Sequence, residues 1–352
     1  MKVDFQLIYV DQNIEKNQSW HLRSQSIINR FPHAEVKLVE SHSRIQELRN
    51  SNPEQWIQTK QNYLVLGVRK SLTSTPNNNS SDFIAPGSSR GCLSACSYCY
   101  VARHTGGSNP MTVFVNIEQI ADSIDRKQQK IGPKPRPNQQ GDLWVFDIGC
   151  NSDCSLDALI SDNPLYLIQR FAHMEHAMAT FATKTVNEGA WLSVEPKGHT
   201  RIRYSLMPQQ IAQAIDIRTS PISARIRSIN NLVEHGYEVH VNFSPIVIYN
   251  GNQWRHDWVQ LWSEMNDVLT PQAKAQLKAE AFFLTHSADL HQVNLQWTPQ
   301  GEDYLWQPEI QQAKVSKSDV LCYRYEIKRS EVERFKNGLR KFLPYCDLRY
   351  IF

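Results

Sequence analysis

Cys92, Cys96 and Cys99 fall within eight residues of one another in the stretch GCLSACSYCYVARH, residues 91–104, at the spacing C-x3-C-x2-C. A thiolate is a metal ligand, and short-spaced cysteine runs hold iron–sulfur clusters. Three of the chain's seven cysteines in so short a span point to one metal centre rather than to scattered packing residues. Three ligands are one short of a closed tetrahedral site. A [4Fe–4S] cluster held this way keeps one iron open, and an open metal position can take a substrate or cofactor. Zinc is the alternative metal, but the only nearby fourth ligand is His104.

The remaining candidates are side chains placed where a predicted strand stops. Cys150, Ser152 and Asp153 follow the run 143–148 in GCNSDC, and Lys184 closes ATFATK. Ser205 lies in RIRYSL and Ser244 precedes Pro245 in NFSPIV, while Tyr98 and Tyr100 flank Cys99. Arg201 and Arg203 alternate on one strand face, where they either bind phosphate or line a solvated edge. Each has an ordinary alternative: isolated cysteines pack in cores, and a strand-end lysine is commonly solvated. Cys154, Cys322 and Cys346 read as structural. The twelve histidines show no metal-ligand spacing; His173 and His176, at i and i+3, read as helix surface.

The elements that must position these residues alternate. Strands are expected at 3–10, 62–70, 113–115, 143–148, 179–183, 201–206, 238–248 and 281–284. Helices are expected at 19–29, 42–49, 164–174 and 254–269. Asn116 with Gln119 reads as a capping box opening a helix whose apolar stripe is Ile117, Ile120, Ala121 and Ile124. Ser220 and Pro221 open another, lined by Ile222, Ile226, Ile229 and Val233 and stopped by Gly236. Residues 71–82 and the proline-bearing basic stretch 127–140 read as loops. Such alternation argues for an α/β architecture with a parallel sheet, which presents ligands at the carboxyl ends of its strands. After His286 the pattern changes to a strand at 318–328, a basic amphipathic helix at 329–342 and a terminal strand at 347–352. The chain accordingly divides into an N-terminal extension (1–86), a central barrel (87–288) and a C-terminal cap (289–352).

A length of 352 residues suffices for one large domain with extensions. A net charge of +3 neither demands nor excludes nucleic acid, since a local basic face matters more than the total. No apolar run reaches membrane-spanning length, and the start MKVDFQLIYVDQN has too short an apolar core for a signal peptide. Clustered thiols fit a reducing compartment, so a cytoplasmic location is expected.

Beyond the cysteine motif, the segments LVLGVRKSL, VFVNIEQI, CNSD, FATK, TRIRYS, TSPISARI, HGYEVHVNFSPI and RYIF run nearly end to end. In order and spacing they resemble the spore photoproduct lyase family of radical S-adenosylmethionine enzymes. The resemblance implies a partial (β/α)6-type barrel with an N-terminal extension and a C-terminal hairpin and helix cap. It implies that Cys92, Cys96 and Cys99 hold a [4Fe–4S] cluster whose open iron binds S-adenosylmethionine. It places Tyr98, Ser152, Lys184, Ser205 and Ser244 at the cofactor. It implies a 5′-deoxyadenosyl radical that takes hydrogen from the methylene bridge of a thymine dimer in DNA, with Cys150 returning a hydrogen atom and Tyr98 and Tyr100 relaying it. Damaged DNA and an electron donor such as flavodoxin or ferredoxin are the implied partners.

Three features depart from the family pattern. Its Arg-Tyr-Gly-x-Gly-Lys hairpin segment is KSDVLCYRY here, with Lys317 in place of the arginine and Ser318 and Cys322 in place of the tyrosine and lysine. Ser244 and Cys154 replace apolar residues. Substrate contacts are therefore sought at Arg201, Arg203 and Lys317. Two further readings stand beside repair of the dimer: a radical enzyme of the same subfamily acting on another lesion or a modified nucleotide, and a non-catalytic nucleic-acid-binding protein with a structural cluster or zinc.

Overall fold

The computed structural model describes residues 3–49, 52, 55–99, 101 and 108–352. The chain forms two compact units, each assembled from separate stretches. The first comprises Met1–Leu93, Val101–Ile202 and His235–Glu238; the second comprises Ser94–Tyr100, Arg203–Glu234 and Val239–Phe352.

The strands of the first unit are β1 (Leu7–Asp11), β2 (Glu35–Val39), β3 (Tyr63–Gly67), β4 (Thr75–Pro76), β5 (Phe83–Ile84), β6 (Ser89–Arg90), β7 (Met111–Phe114), β8 (Trp144–Asp147) and β9 (Ala177–Thr183). Next comes β10 (Thr200–Leu206), whose residues 200–202 belong to this unit and 203–206 to the second. One sheet has the order β2-β1-β3-β7-β6, parallel except for β6. Its side chains alternate. Ile8, Val10, Leu64, Leu66, Met111 and Val113 pack on one face with Ile14, Ile27 and Phe31. Tyr9 and Val65 pack on the other with Ile45 and Leu48. Both faces are covered, as a parallel sheet requires. β2 was not anticipated from the sequence because it is an edge strand whose residues are mostly exposed.

In the same unit β5, β8 and β9 run parallel, and β4 pairs antiparallel with β5. β4 therefore falls inside the stretch expected to be loop. The helix Ile117–Ile131 has the predicted apolar stripe fully buried and extends four residues past Lys127 before Gly132 stops it. Its capping box does not form. The Asn116 side chain is buried and spans instead to the Arg69 backbone, accepting from the N–H at 2.8 Å and donating to the carbonyl at 3.0 Å. A buried amide satisfies two strand-end backbone groups this way, which helix capping would leave open.

The second unit contains β11 (Glu238–Ile246), β12 (Lys278–Phe283), β13 (Thr285–Ser287), β14 (Gln311–Lys314), β15 (Lys317–Tyr323) and β16 (Asp347–Ile351). β11, β12 and β16 run parallel; β14 and β15 form an antiparallel hairpin with β13 along its other side. The final helix spans Tyr325–Phe342, so β15 ends earlier, and the helix begins earlier, than the alternation of the sequence suggests. Tyr323 explains the break: its buried hydroxyl accepts the Ile248 N–H at 2.8 Å and pins the strand end. Phe335 of that helix meets Trp258 and Trp262 edge-on, at centroid distances of 5.0 and 4.9 Å.

Candidate active site

In the first unit the entry to the cysteine loop is fastened to the turn after β8. Gly91, the residue before Cys92, donates its N–H to the Asn151 carbonyl at 2.9 Å and bridges Ser152. Its φ is +85°, and a Cβ there would lie 3.0 Å from the Pro110 carbonyl oxygen and 3.3 Å from that of Asn109. Both obstacles are backbone, so they cannot rotate away. Gly91→Ala is expected to cost about 1–2 kcal/mol from the left-handed conformation alone, plus the crowding. The denaturation midpoint and the iron content per chain should both fall; an unchanged midpoint would show that the turn tolerates a side chain.

The turn itself is built around Asp153. Its carboxylate caps the short helix Cys154–Asp157 through the N–H groups of Ser155 at 2.9 Å and Leu156 at 3.3 Å. It also accepts the Thr183 hydroxyl at 2.8 Å and the Lys184 N–H at 3.2 Å. One buried side chain thus joins the Cys150–Ser152 turn to the end of β9, where Lys184 is the first residue past the strand. Burial pushes its carboxyl up from the ordinary range, and these four donors oppose the shift. Asp153→Ala removes the cap and strands the Lys184 N–H, so a loss of about 2 kcal/mol is expected in chemical denaturation. A loss under about 0.5 kcal/mol would mean that the turn is held by other contacts.

Cys150 is half-buried in that turn and is in no disulfide. Arg69 lies within its electrostatic reach: burial and then the nearby Arg90 hold the Arg69 guanidinium below its usual value, and Cys150 opposes them. The Ser152 hydroxyl oxygen is buried and has no hydrogen-bond partner among the described residues. An orphaned hydroxyl at a strand end is what a polar cofactor group would satisfy.

In the second unit the rest of the loop is clamped backbone to backbone. Ala95 and Ser97 donate to the carbonyls of Ile217 and Ile215 at 3.0 and 2.9 Å, and the Ser94 hydroxyl donates to the Arg218 carbonyl at 3.0 Å. Cys99 donates to the Cys96 carbonyl at 3.1 Å. Cys96 is buried, and Cys92 and Cys99 are half-buried; none of the three is in a disulfide, as cluster ligation needs. The Tyr98 hydroxyl donates to Asp216. Burial and then the Asp216 charge push the Tyr98 phenol well above its ordinary value, so it keeps its hydrogen. Arg225 holds Asp216 from the other side with two contacts of 3.1 and 3.2 Å and donates at 2.7 Å to the carbonyl of Ser205, near the end of β10. Ser244 is half-buried near the end of β11.

Two expected substrate contacts have another place. Arg201 is 2% exposed, bonded to Gln140 and paired with Glu238 at 3.0 Å. Arg203 is 3% exposed and faces Glu280 at 3.5 Å, a carboxylate also paired with Arg349 at 2.8 Å. Both guanidiniums balance interior carboxylates, whereas a backbone phosphate contact needs an accessible one. Alternation along a strand cannot reveal which face is solvated. Lys317 is on the hairpin, with its side chain 65% exposed and 3.8 Å from Asp319. Tyr100 and His104 lie outside the described residues. Sequence reasoning left Asp153 unassigned and missed Asp216 and Arg225 altogether; Arg225 does fall within the TSPISARI segment.

Comparison with known proteins agrees along the whole chain. Spore photoproduct lyase of Bacillus subtilis is 24% identical over 277 residues, 78% of this chain and 77% of that protein. The Clostridium acetobutylicum enzyme of the same name is 27% identical over 256 residues, 72% and 73% of the two chains. A structure of spore photoproduct lyase complexed with dinucleoside spore photoproduct superposes with a TM-score of 0.85 at 18% identity, covering 99% of both chains. A double-mutant structure with bound AdoMet and dinucleoside spore photoproduct gives 0.86 at 17% identity over all of both chains. The fold is therefore the α/β, partial-barrel fold of radical S-adenosylmethionine proteins, as expected from the sequence. A family model described as spore photoproduct lyase matches residues 6–352, and this chain belongs to the spore photoproduct lyase family.

Proposed function

We propose that this chain is a radical S-adenosylmethionine lyase that reverses the thymine dimer spore photoproduct in DNA. The observation that carries the reading is the fastening of Gly91, which leads into the cluster cysteines, to the turn that bears Cys150. Cys92, Cys96 and Cys99 hold the [4Fe–4S] cluster, with Ser152, Lys184, Ser205, Ser244 and Tyr98 at the cofactor. Cluster and cofactor supply the radical chemistry; the chain positions the reacting atoms and excludes water.

Cys150 gives its S–H hydrogen to the carbon radical left when the methylene bridge breaks. An S–H bond is weak, so transfer to carbon is favourable. The sulfur radical that remains would regain a hydrogen atom through Tyr98 and Tyr100 from the 5′-deoxyadenosine that had taken hydrogen from the lesion, so the hydrogen count closes. Tyr98 suits the task, being a phenol that burial and the Asp216 charge keep protonated, with its hydrogen available as an atom. A lesion in duplex DNA must leave the stack to be reached, and a damaged pair costs less to unstack. The exposed Lys317 is the substrate contact retained from the sequence reading. The one-electron donor is of the flavodoxin or ferredoxin type. Among the described residues no helix is long and apolar enough to cross a membrane.

A second reading, the same chemistry on another nucleic-acid lesion or modified nucleotide, is favoured by one observation. Lys317, Ser318 and Cys322 occupy the β14–β15 hairpin where the family carries a different residue set. The anaerobically reconstituted protein, given S-adenosylmethionine, a reductant and dinucleotide spore photoproduct, separates the two. Thymine formation supports the first reading, and cofactor cleavage without repair supports the second. Protein that carries zinc at the cysteines and no iron would sink both.

A further inference from the structure

Within the second unit, His286, His291 and Glu302 bring their ligand atoms within 4.8 Å of one another, although no histidine spacing in the sequence announces it. His286 is the middle of the three residues of β13, His291 is on the helix Ala288–Trp297, and Glu302 opens the short helix Glu302–Leu305. The His286 Nε2 lies 3.2 and 3.1 Å from the two Glu302 carboxylate oxygens, and the His291 Nδ1 lies 2.5 Å from Oε2. His286 is 1% exposed and Glu302 4%.

The surroundings are those of a ligand set held in place from outside. Trp306 stacks on the His291 ring at 4.2 Å and 7° and meets His286 edge-on at 6.2 Å. Asn294 donates to the Glu302 Oε1 and is itself held by the Trp297 indole N–H at 2.7 Å. Ligating carboxylates and imidazoles are oriented by such outer contacts in metal sites generally. Two imidazoles and one carboxylate are the donor set of three-ligand zinc sites and of facial-triad iron, each of which keeps a further position open. A buried carboxylate flanked by two imidazoles is a donor set that a divalent cation would complement in charge and geometry.

We propose that His286, His291 and Glu302 form a second metal site, for a divalent first-row cation, separate from the cysteine cluster. Its occupancy bears on the cluster loop through Asn294, which donates at 2.7 Å to the carbonyl of Ser97, between Cys96 and Tyr98. The segment before Glu302 is pressed onto the same serine. The Thr298 and Ser97 hydroxyls are 3.3 Å apart, and a Cβ on Gly301 would sit 3.1 Å from the Ser97 hydroxyl oxygen. The cation locks Glu302 and Asn294, and Asn294 locks the loop.

The test is metal analysis of the full chain with its cluster reconstituted, after exposure to zinc chloride and desalting. Wild type is expected to hold about one equivalent of zinc beyond its iron. His291→Ala, the least buried of the three, should bind zinc at least roughly 100-fold more weakly. The same pair is then compared in a chain whose Cys92, Cys96 and Cys99 are all alanine, so that no thiolate of the cluster loop can capture the ion. There cobalt(II) should give the visible ligand-field bands of a low-coordinate nitrogen and oxygen site, and zinc should raise the melting temperature, both effects vanishing with His291→Ala. Zinc uptake that is absent in wild type, or that His291→Ala leaves unchanged in either background, overturns the proposal.

Discussion

Arg225→Ala is expected to destabilise the fold by about 3–5 kcal/mol, the range for removing one partner of a buried ion pair. Arg225 and the Asp216 side chain are both fully buried. The guanidinium donates to Asp216, Thr219, Ser205 and Ser220 at 2.6–3.2 Å, closing the turn between two helices onto the end of β10. Without it the Asp216 carboxylate keeps the Tyr98 hydroxyl but loses its counter-charge. A buried carboxylate left without that partner recruits water, and the water loosens Tyr98. Arg225→Lys should be intermediate, since an ammonium restores the charge but not the planar fork. The midpoint of chemical denaturation reads the first effect. Retained cluster iron reads the second, because Tyr98 stands between Cys96 and Cys99 in the chain. If Arg225→Ala unfolds within about 1 kcal/mol of wild type, the pair is not what holds this end of the loop.

Arg225 also marks the limit of what the sequence reveals. Its helix was legible, because Ile222, Ile226, Ile229 and Val233 repeat at helical spacing and are all buried. A charged residue on that same inner face contradicts the pattern unless its partner is known, and Asp216 lies beyond the start of the helix, in the preceding turn. The same reason hides the His286, His291 and Glu302 group. Its members come from a strand and two helices, so only the tertiary fold makes them neighbours. Local signals did better. The C-x3-C-x2-C spacing, the strand before Cys150 and the strand before Lys184 are all properties of short windows. Arg201 and Arg203 failed as surface residues because alternation fixes that two side chains share a face, not what that face meets. Asn116 failed as a cap because a buried amide found backbone partners outside its helix.

Cys150→Ala is expected to separate the two halves of the reaction. Its neighbours fix the turn without it. Gly91 bonds the Asn151 carbonyl, Ser152 closes on the Gly149 carbonyl at 3.1 Å, and Asp153 supplies the cap. Loss of the thiol should therefore leave iron content and reductive cleavage of S-adenosylmethionine near wild type. Formation of clean thymine should fall about tenfold or more, a loss of roughly 1.4 kcal/mol or more in the step that uses the hydrogen atom. Cys150→Ser tests the bond rather than the shape, because an O–H bond is much stronger than S–H; it should fail as alanine does. The thiol exchanges with solvent, so product made by wild type in deuterium oxide should carry deuterium at the repaired methyl group, and the alanine variant should not place it there. A carbon-bound donor within the cofactor would give the opposite pattern, with no solvent deuterium in either protein. Clean turnover by Cys150→Ala would remove Cys150 from the path and leave its turn with a purely structural task, held by Gly91 and Asp153.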